Sequence, residues 1–256
     1  MRSVAILSLL LALEAPAKPA AAKPPVIVEL FTAQGCSSCG KVTAAVNKLA
    51  DEPGLIVLTW PVDYWDYLGW KDTFAQPPFT DRQRAYDKGL GLHDVYTPQV
   101  IIDGRLQVSG ATEGAMDSLI RDARRARADP PDMAFVGADR VAVGSGHRPR
   151  GEADVWLVRY NLKAQEIAVT AGDNRGQTVV ERDVVRELER LGGWKGRPVL
   201  FRMPAISEEG LATVVIVQES DGGPIIGALS QDGEEAPKPS PSQNKTPATG
   251  GATGVR

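Results

Sequence analysis

The chain has 256 residues, 43% of them hydrophobic and 24% charged, which is enough to bury a substantial core in one large domain or two smaller ones. Its net charge of −3 excludes the basic surface that a phosphate backbone requires, so no nucleic-acid partner is expected. The two cysteines, Cys36 and Cys39, are too close in sequence to serve as a staple, because the entropy a disulfide removes from the unfolded chain grows with the loop it closes.

Arg2 precedes an apolar run from Val4 to Leu13. At about ten residues, that run matches the core of a signal peptide and is too short to span a bilayer. Cleavage-type patterns stand at Ala15-Pro16-Ala17 and Ala20-Ala21-Ala22, the second being preferred. Residues 1–22 therefore read as an export signal and the mature protein as periplasmic or secreted. An uncleaved anchor is the alternative, whereas a lipoprotein signal lacks a Cys near the cleavage region. No membrane span is expected in the mature chain.

Val26 to Phe31 is apolar except for Glu29, the pattern of a strand buried on both faces. A turn, Thr32 to Gly35, leads to Cys36. Lys41 to Ala50 then reads as a helix with Val42, Ala45, Val46 and Leu49 on its sheet-facing side. Leu55 to Val62 is the next strand. An aromatic-rich insertion fills 63–94, with one helix expected over Thr80 to Lys88. Val95 to Pro98 re-enters the sheet, and Gln99 to Ile102, Asp103-Gly104 and Leu106 to Ser109 form a hairpin. A helix opens at Thr112 or Glu113, with Met116, Leu119, Ile120 and Ala123 on one face. Its Arg121, Arg124, Arg125 and Arg127 read as a solvated helix end.

Asp129-Pro130-Pro131-Asp132 reads as a linker, after which the texture changes to short β-type runs: Arg140–Val143, Ala153–Leu162, Glu166–Ala171, Pro198–Met203, Leu211–Gln218 and Pro224–Leu229. Gly172 to Gly176 is a hairpin-type turn. Val179 to Leu191 reads either as a continuing strand or as a strand and a short helix capped by Gly192. The fold expected is an α/β thioredoxin-like domain over 24–128, followed by a β-rich, sandwich-like second domain over 132–230 and a disordered tail over 231–256.

The chemistry centres on Cys36-Ser37-Ser38-Cys39. The order strand, CxxC, helix, strand, insertion, Thr-Pro, hairpin, helix is that of thioredoxin-like proteins. With no second Cys pair and two His in all, a four-ligand structural zinc site is not expected. Between a buried strand and a helix, Cys36 stands where free N–H groups and the helix dipole favour a thiolate. Cys36 is assigned as nucleophile and Cys39, expected to be the more buried, as resolving thiol. Pro98 interrupts a β-type run, which suggests the cis proline that abuts the dithiol in thioredoxin-like folds and, with Thr97, leaves backbone free for an extended substrate. Glu29 reads either as a buried proton shuttle for Cys39 or as a structural partner of Lys41 or a backbone group. Asp63 and Trp65 are candidate substrate contacts, although most of the insertion's aromatics read as structural. His93 reads as a surface residue rather than a ligand, and His147 carries no signal.

Val28-Glu29-Leu30-Phe31-Thr32-Ala33-Gln34-Gly35-Cys36-Ser37-Ser38-Cys39, Val62-Asp63-Tyr64-Trp65-Asp66-Tyr67-Leu68-Gly69-Trp70-Lys71-Asp72 and Val95-Tyr96-Thr97-Pro98-Gln99 resemble the secreted bacterial thioredoxin-like family known as domain of unknown function 1223. The resemblance runs from about Pro25 to Leu229. It implies a thioredoxin fold and periplasmic export, with no established activity. Two departures stand out: Gly40-Lys41 replace the prolines common after the second Cys, and Trp60-Pro61 replace a common Phe-His.

The function expected is an exported thiol–disulfide oxidoreductase that needs no cofactor and no metal. Its partners would be thiols or disulfides of exported proteins and an electron donor. The alternatives are a periplasmic carrier of a soft metal such as copper, bound by the two thiolates, and a non-catalytic binding module.

Overall fold

The computed structural model describes residues 24–231, except 110, 111, 127–129, 148 and 150. The expected export signal, Arg127 and the tail beyond Gln231 lie outside the described residues.

β1 (Val26–Thr32) is buried along its whole length, as its apolar run demands. It pairs in parallel with β2 (Leu55–Pro61), and α1 (Gly40–Leu49) makes the crossover between them. α2 (Pro77–Leu90) follows the insertion, with a proline at its start where the missing N–H costs nothing. It is longer at both ends than the expected helix over 80–88. β3 (Gln99–Ile102) runs antiparallel to β1, and β4 (Leu106–Ser109) antiparallel to β3. α3 (Glu113–Ala126) buries Met116, Ile120 and Ala123, spaced to share one face.

The second half of the chain adds β5 (Met133–Val136), β6 (Arg140–Val143), β7 (Ala153–Asn161), β8 (Gln165–Ala168), β9 (Thr178–Glu181), β10 (Val184–Trp194), β11 (Val199–Arg202), β12 (Ala212–Glu219) and β13 (Ile225–Gln231). The sequence pattern did not show β5. Val179 to Leu191 holds no helix: β10 runs through Gly192, where the ladder shifts register and Phe201 packs so closely that an added Cβ would lie 2.9 Å from its ring. β13 includes Gln231, the first residue of the expected tail.

These strands do not close into a separate sandwich. β7, β10, β12 and β13 join β1–β4 in one eight-stranded sheet of order β13-β12-β7-β10-β2-β1-β3-β4. The seam is narrow, at Val184 opposite Thr59, and is reinforced by Thr59 N donating to Asp183 O (2.9 Å) and Thr59 Oγ1 to Arg182 O (2.7 Å). The protein is thus mixed α/β, with a large central sheet and few helices.

Strand alternation divides the core. Ile27, Phe31, Leu58, Trp60, Val158, Val185, Val214 and Ile216 form one continuous apolar face, covered by Phe79 and Tyr86 of α2. The opposite face is covered twice. α1 and α3 lie over Val28, Leu30, Val57, Val100 and Ile102, and the sheet β11-β6-β5 lies over Val155, Leu157, Val215 and Val217. The β12–β13 turn approaches α2 at Gly222 (φ +72°), where an added Cβ would stand 2.1 Å from Ala85 O. No described helix is long and apolar enough to cross a membrane.

Candidate functional site

The chain leaves β1 at Thr32 and makes two tight turns. Cys36 N donates to Ala33 O (3.0 Å), and Cys39 N donates to Cys36 O (3.2 Å). Cys39 is the N-cap of α1, and its carbonyl accepts from Thr43 N (3.0 Å). The spacing therefore puts both sulfurs at a helix N-terminus, joined as a disulfide with the Cα atoms 5.4 Å apart. Ser38 Oγ lies 3.4 Å from Cys36 Sγ.

Thr97-Pro98 is a cis peptide bond. It immediately precedes Gln99, which pairs with Phe31 at the dithiol end of β1. Topology thus brings Thr97 and Pro98 to the end of the sheet from which Cys36 emerges. Thr97 Oγ1 is buried, with no hydrogen-bond partner among the described residues.

Both cysteines are buried, so the structure shows no difference between them of the kind expected. Cys36 has 0% of its surface exposed and Cys39 2%, while Ser37, Ser38 and Lys41 are exposed. Two distant segments contact the dithiol turn. From the β8–β9 turn, Asn174 Nδ2 donates to Gln34 O (2.7 Å) and Cys36 O (3.0 Å). From the insertion, Trp65 packs over Gly35, its Cβ 4.0 Å from where a Gly35 Cβ would stand.

Glu29 lies under α2, where Arg82 Nε donates to Oε1 (2.6 Å) and the Tyr86 hydroxyl to Oε2. The Arg82 guanidinium stacks on Trp60 (5.0 Å) and Tyr86 (5.1 Å). Both Glu29 oxygens are therefore engaged, with partners other than the Lys41 considered from sequence. Asp63 Oδ1 accepts from Thr80 Oγ1 (2.6 Å) and so secures the start of α2. His93 is exposed.

Gln34 ties the insertion to the dithiol turn. Its N–H donates to Asp72 Oδ2 (2.7 Å), and its Oε1 accepts from Trp70 Nε1 (3.0 Å) and Thr73 N (3.2 Å). Asp72 Oδ1 also accepts from Phe74 N (3.0 Å) and Ala75 N (3.2 Å). Burial nonetheless holds the Asp72 carboxyl above its usual range, and Asp66 adds to the shift. Near it, Glu181 has no exposed surface and is pushed up to about 8 by burial, with Asp72 adding to the shift and the Gln34 amide opposing it. Among the described residues, no three His, Cys, Asp or Glu side chains converge as a metal site.

Residues 27–218 match the family model described as "protein of unknown function (DUF1223)". The chain belongs to the DUF1223 family. A crystal structure of an Agrobacterium tumefaciens protein is 31% identical, with a TM-score of 0.67, over 85% of this chain and 98% of that one. HBP35 of Porphyromonas gingivalis shares the fold alone: it is 14% identical with a TM-score of 0.56, over 90% of this chain and 81% of that one. No curated protein matches.

Within this DUF1223 chain, sequence reasoning missed Gln34, Asn174 and Glu181. Gln34 had a local signal, as a polar residue two positions before Cys36 in a buried turn. Asn174 and Glu181 had none, because more than 130 residues separate them from the turn they meet.

Proposed function

We propose that this DUF1223 protein is a thioredoxin-like thiol–disulfide oxidoreductase that works on exported proteins outside the cytoplasm. The observation that carries this reading is the placing of the Cys36–Cys39 disulfide at the N-terminus of α1, on the sheet end that also holds Thr97-Pro98. Helix N–H groups there stabilise a Cys36 thiolate. In the reducing direction that thiolate attacks a substrate disulfide, one sulfur bonding to Cys36 and the other leaving as thiolate. Cys39, deprotonated, then attacks Cys36, reforms the internal disulfide and releases the second substrate thiolate. Two electrons pass to the substrate, and the reverse sequence oxidises a substrate dithiol. Thr97 offers backbone to an extended substrate segment, with Trp65 flanking it.

The burial of Cys36 favours a second reading, a binding module whose disulfide fixes the start of α1 and never cycles. Reduction of insulin disulfides by the wild type, Cys36→Ser and Cys39→Ser in the presence of dithiothreitol separates the two. Turnover by the wild type that both variants lose supports the oxidoreductase. A wild-type disulfide that dithiothreitol opens only in denaturant sinks it and leaves the module.

A further inference from the structure

Glu181 ends β9 with a carboxyl that has no exposed surface and, among the described residues, no hydrogen bond of ordinary geometry to either oxygen, the Gln34 side chain being a more distant polar neighbour. A bare buried charge is costly, so such a group survives by holding a proton. Its place is fixed from both sides. Asn47 of α1 donates from Nδ2 to Val180 O (2.9 Å) and accepts at Oδ1 from Arg182 N (3.3 Å), gripping the residues that flank Glu181. α1 is the helix that Cys39 caps, and the turn leading into β9 sends Asn174 to Cys36 O. The β8–β9 unit therefore brings this buried carboxyl to the dithiol turn at Gln34, with Asp72 near it.

We propose that Glu181 is a redox-linked proton site, a positioning residue that holds its proton more tightly when the Cys36–Cys39 disulfide is reduced and gives it up more readily when the disulfide reforms. The proposal rests on the oxidoreductase reading. Reduction breaks the S–S bond with two electrons from a partner dithiol and leaves a thiolate at Cys36 and a protonated thiol at Cys39. The new negative charge, in a poorly solvated turn, disfavours a carboxylate nearby, so in alkaline solution, where Glu181 has begun to ionise, it draws one further proton from solvent onto Glu181. Asp72, from the insertion, is the charged group that pushes Glu181 the same way. α1 and the dithiol turn offer it the neutral Asn47 and Gln34. On its own segment, Arg182 is paired with Asp51 (2.6 Å) and Asp183 follows at the corner.

The test is the midpoint potential of the full-length protein in dithiothreitol redox buffers from pH 6 to 10, for the wild type and Glu181→Gln. Gln is isosteric with the protonated acid and suits the same cavity. The wild type should show a change of slope at about pH 8 that Glu181→Gln lacks, with Glu29→Gln as a control that keeps it. A disulfide that equilibrates normally with identical profiles in wild type and Glu181→Gln overturns the proposal alone. A disulfide that never equilibrates in the folded protein overturns the oxidoreductase reading as well. Infrared difference spectra of the wild type at pH 8.5 need no variant: reduction should raise the protonated-carboxyl band, and an unchanged band overturns the proposal.

Discussion

The side-chain amide of Asn174 donates to the carbonyl oxygen of Cys36 at 3.0 Å, across 138 residues of sequence. The same amide reaches Gln34 O at 2.7 Å, so one side chain of the β-rich half holds the turn that presents the cysteines. Asn174→Ala leaves two carbonyls short of a donor, at roughly 1–3 kcal/mol. It should lower thermal stability by that amount and also loosen the turn in which Cys36 is buried. Thiol release in dithiothreitol should quicken severalfold in the variant, and an unchanged rate would show that Asn174 does not gate the disulfide.

Glu29 and Arg82 form an ion pair with almost no solvent contact. Removing one partner strands the other charge, a loss on the order of 3–5 kcal/mol. Denaturant melts of Glu29→Gln and Arg82→Met should both show such a loss. The rate at which dithiothreitol opens the folded disulfide should change little, since both Glu29 oxygens face α2 rather than the thiols. A large rate effect with intact stability would return Glu29 to the role of proton shuttle.

Glu181 makes stability depend on pH with a definite sign. Its carboxyl is raised from 4.5 to about 8 in the folded chain. Between those values the folded protein keeps a proton that the unfolded chain has lost, so stability falls as pH rises and levels off above about 8. From Glu181 the loss is on the order of 4–5 kcal/mol. Asp183, raised to about 7 by burial, steepens it below that point. Urea melts of the wild type from pH 5 to 9 should show the decline, and Glu181→Gln should flatten most of it. Equal slopes would place the proton elsewhere.

Asp72 accepts from the N–H groups of Gln34, Phe74 and Ala75, and its charge adds to the shift at Glu181. Asp72→Ala should therefore do two separable things. It should destabilise the protein by roughly 2–4 kcal/mol through unsatisfied donors and make the 64–76 segment sensitive to protease. It should also move the Glu181 transition in the urea melts below pH 8. Loss of stability with an unmoved transition would confine Asp72 to a structural role.

Much of the fold is legible in the residues because local chemistry sets it. The apolar run of β1, the 3.6-residue spacing in α1 and α3, and the Asp103-Gly104 turn each name their element without help. Val179 to Leu191 was ambiguous because its apolar residues fit either period. The partners of β10, β7 on one side and β2 on the other, decide for strand.

By itself, the sequence determined the order of elements through α3, the DUF1223 resemblance and the placing of Cys36 and Cys39 at the start of a helix. These follow from spacings of a few residues, within which backbone geometry leaves little choice. Only the tertiary structure decided that the β-rich half extends the same sheet, that Asn174 and Trp65 meet the dithiol turn, and that Glu29 belongs to Arg82. It alone set Glu181 beside Gln34 and Asp72. Those relations depend on which strand edges and buried polar groups meet across a hundred residues or more, and no local pattern encodes that choice.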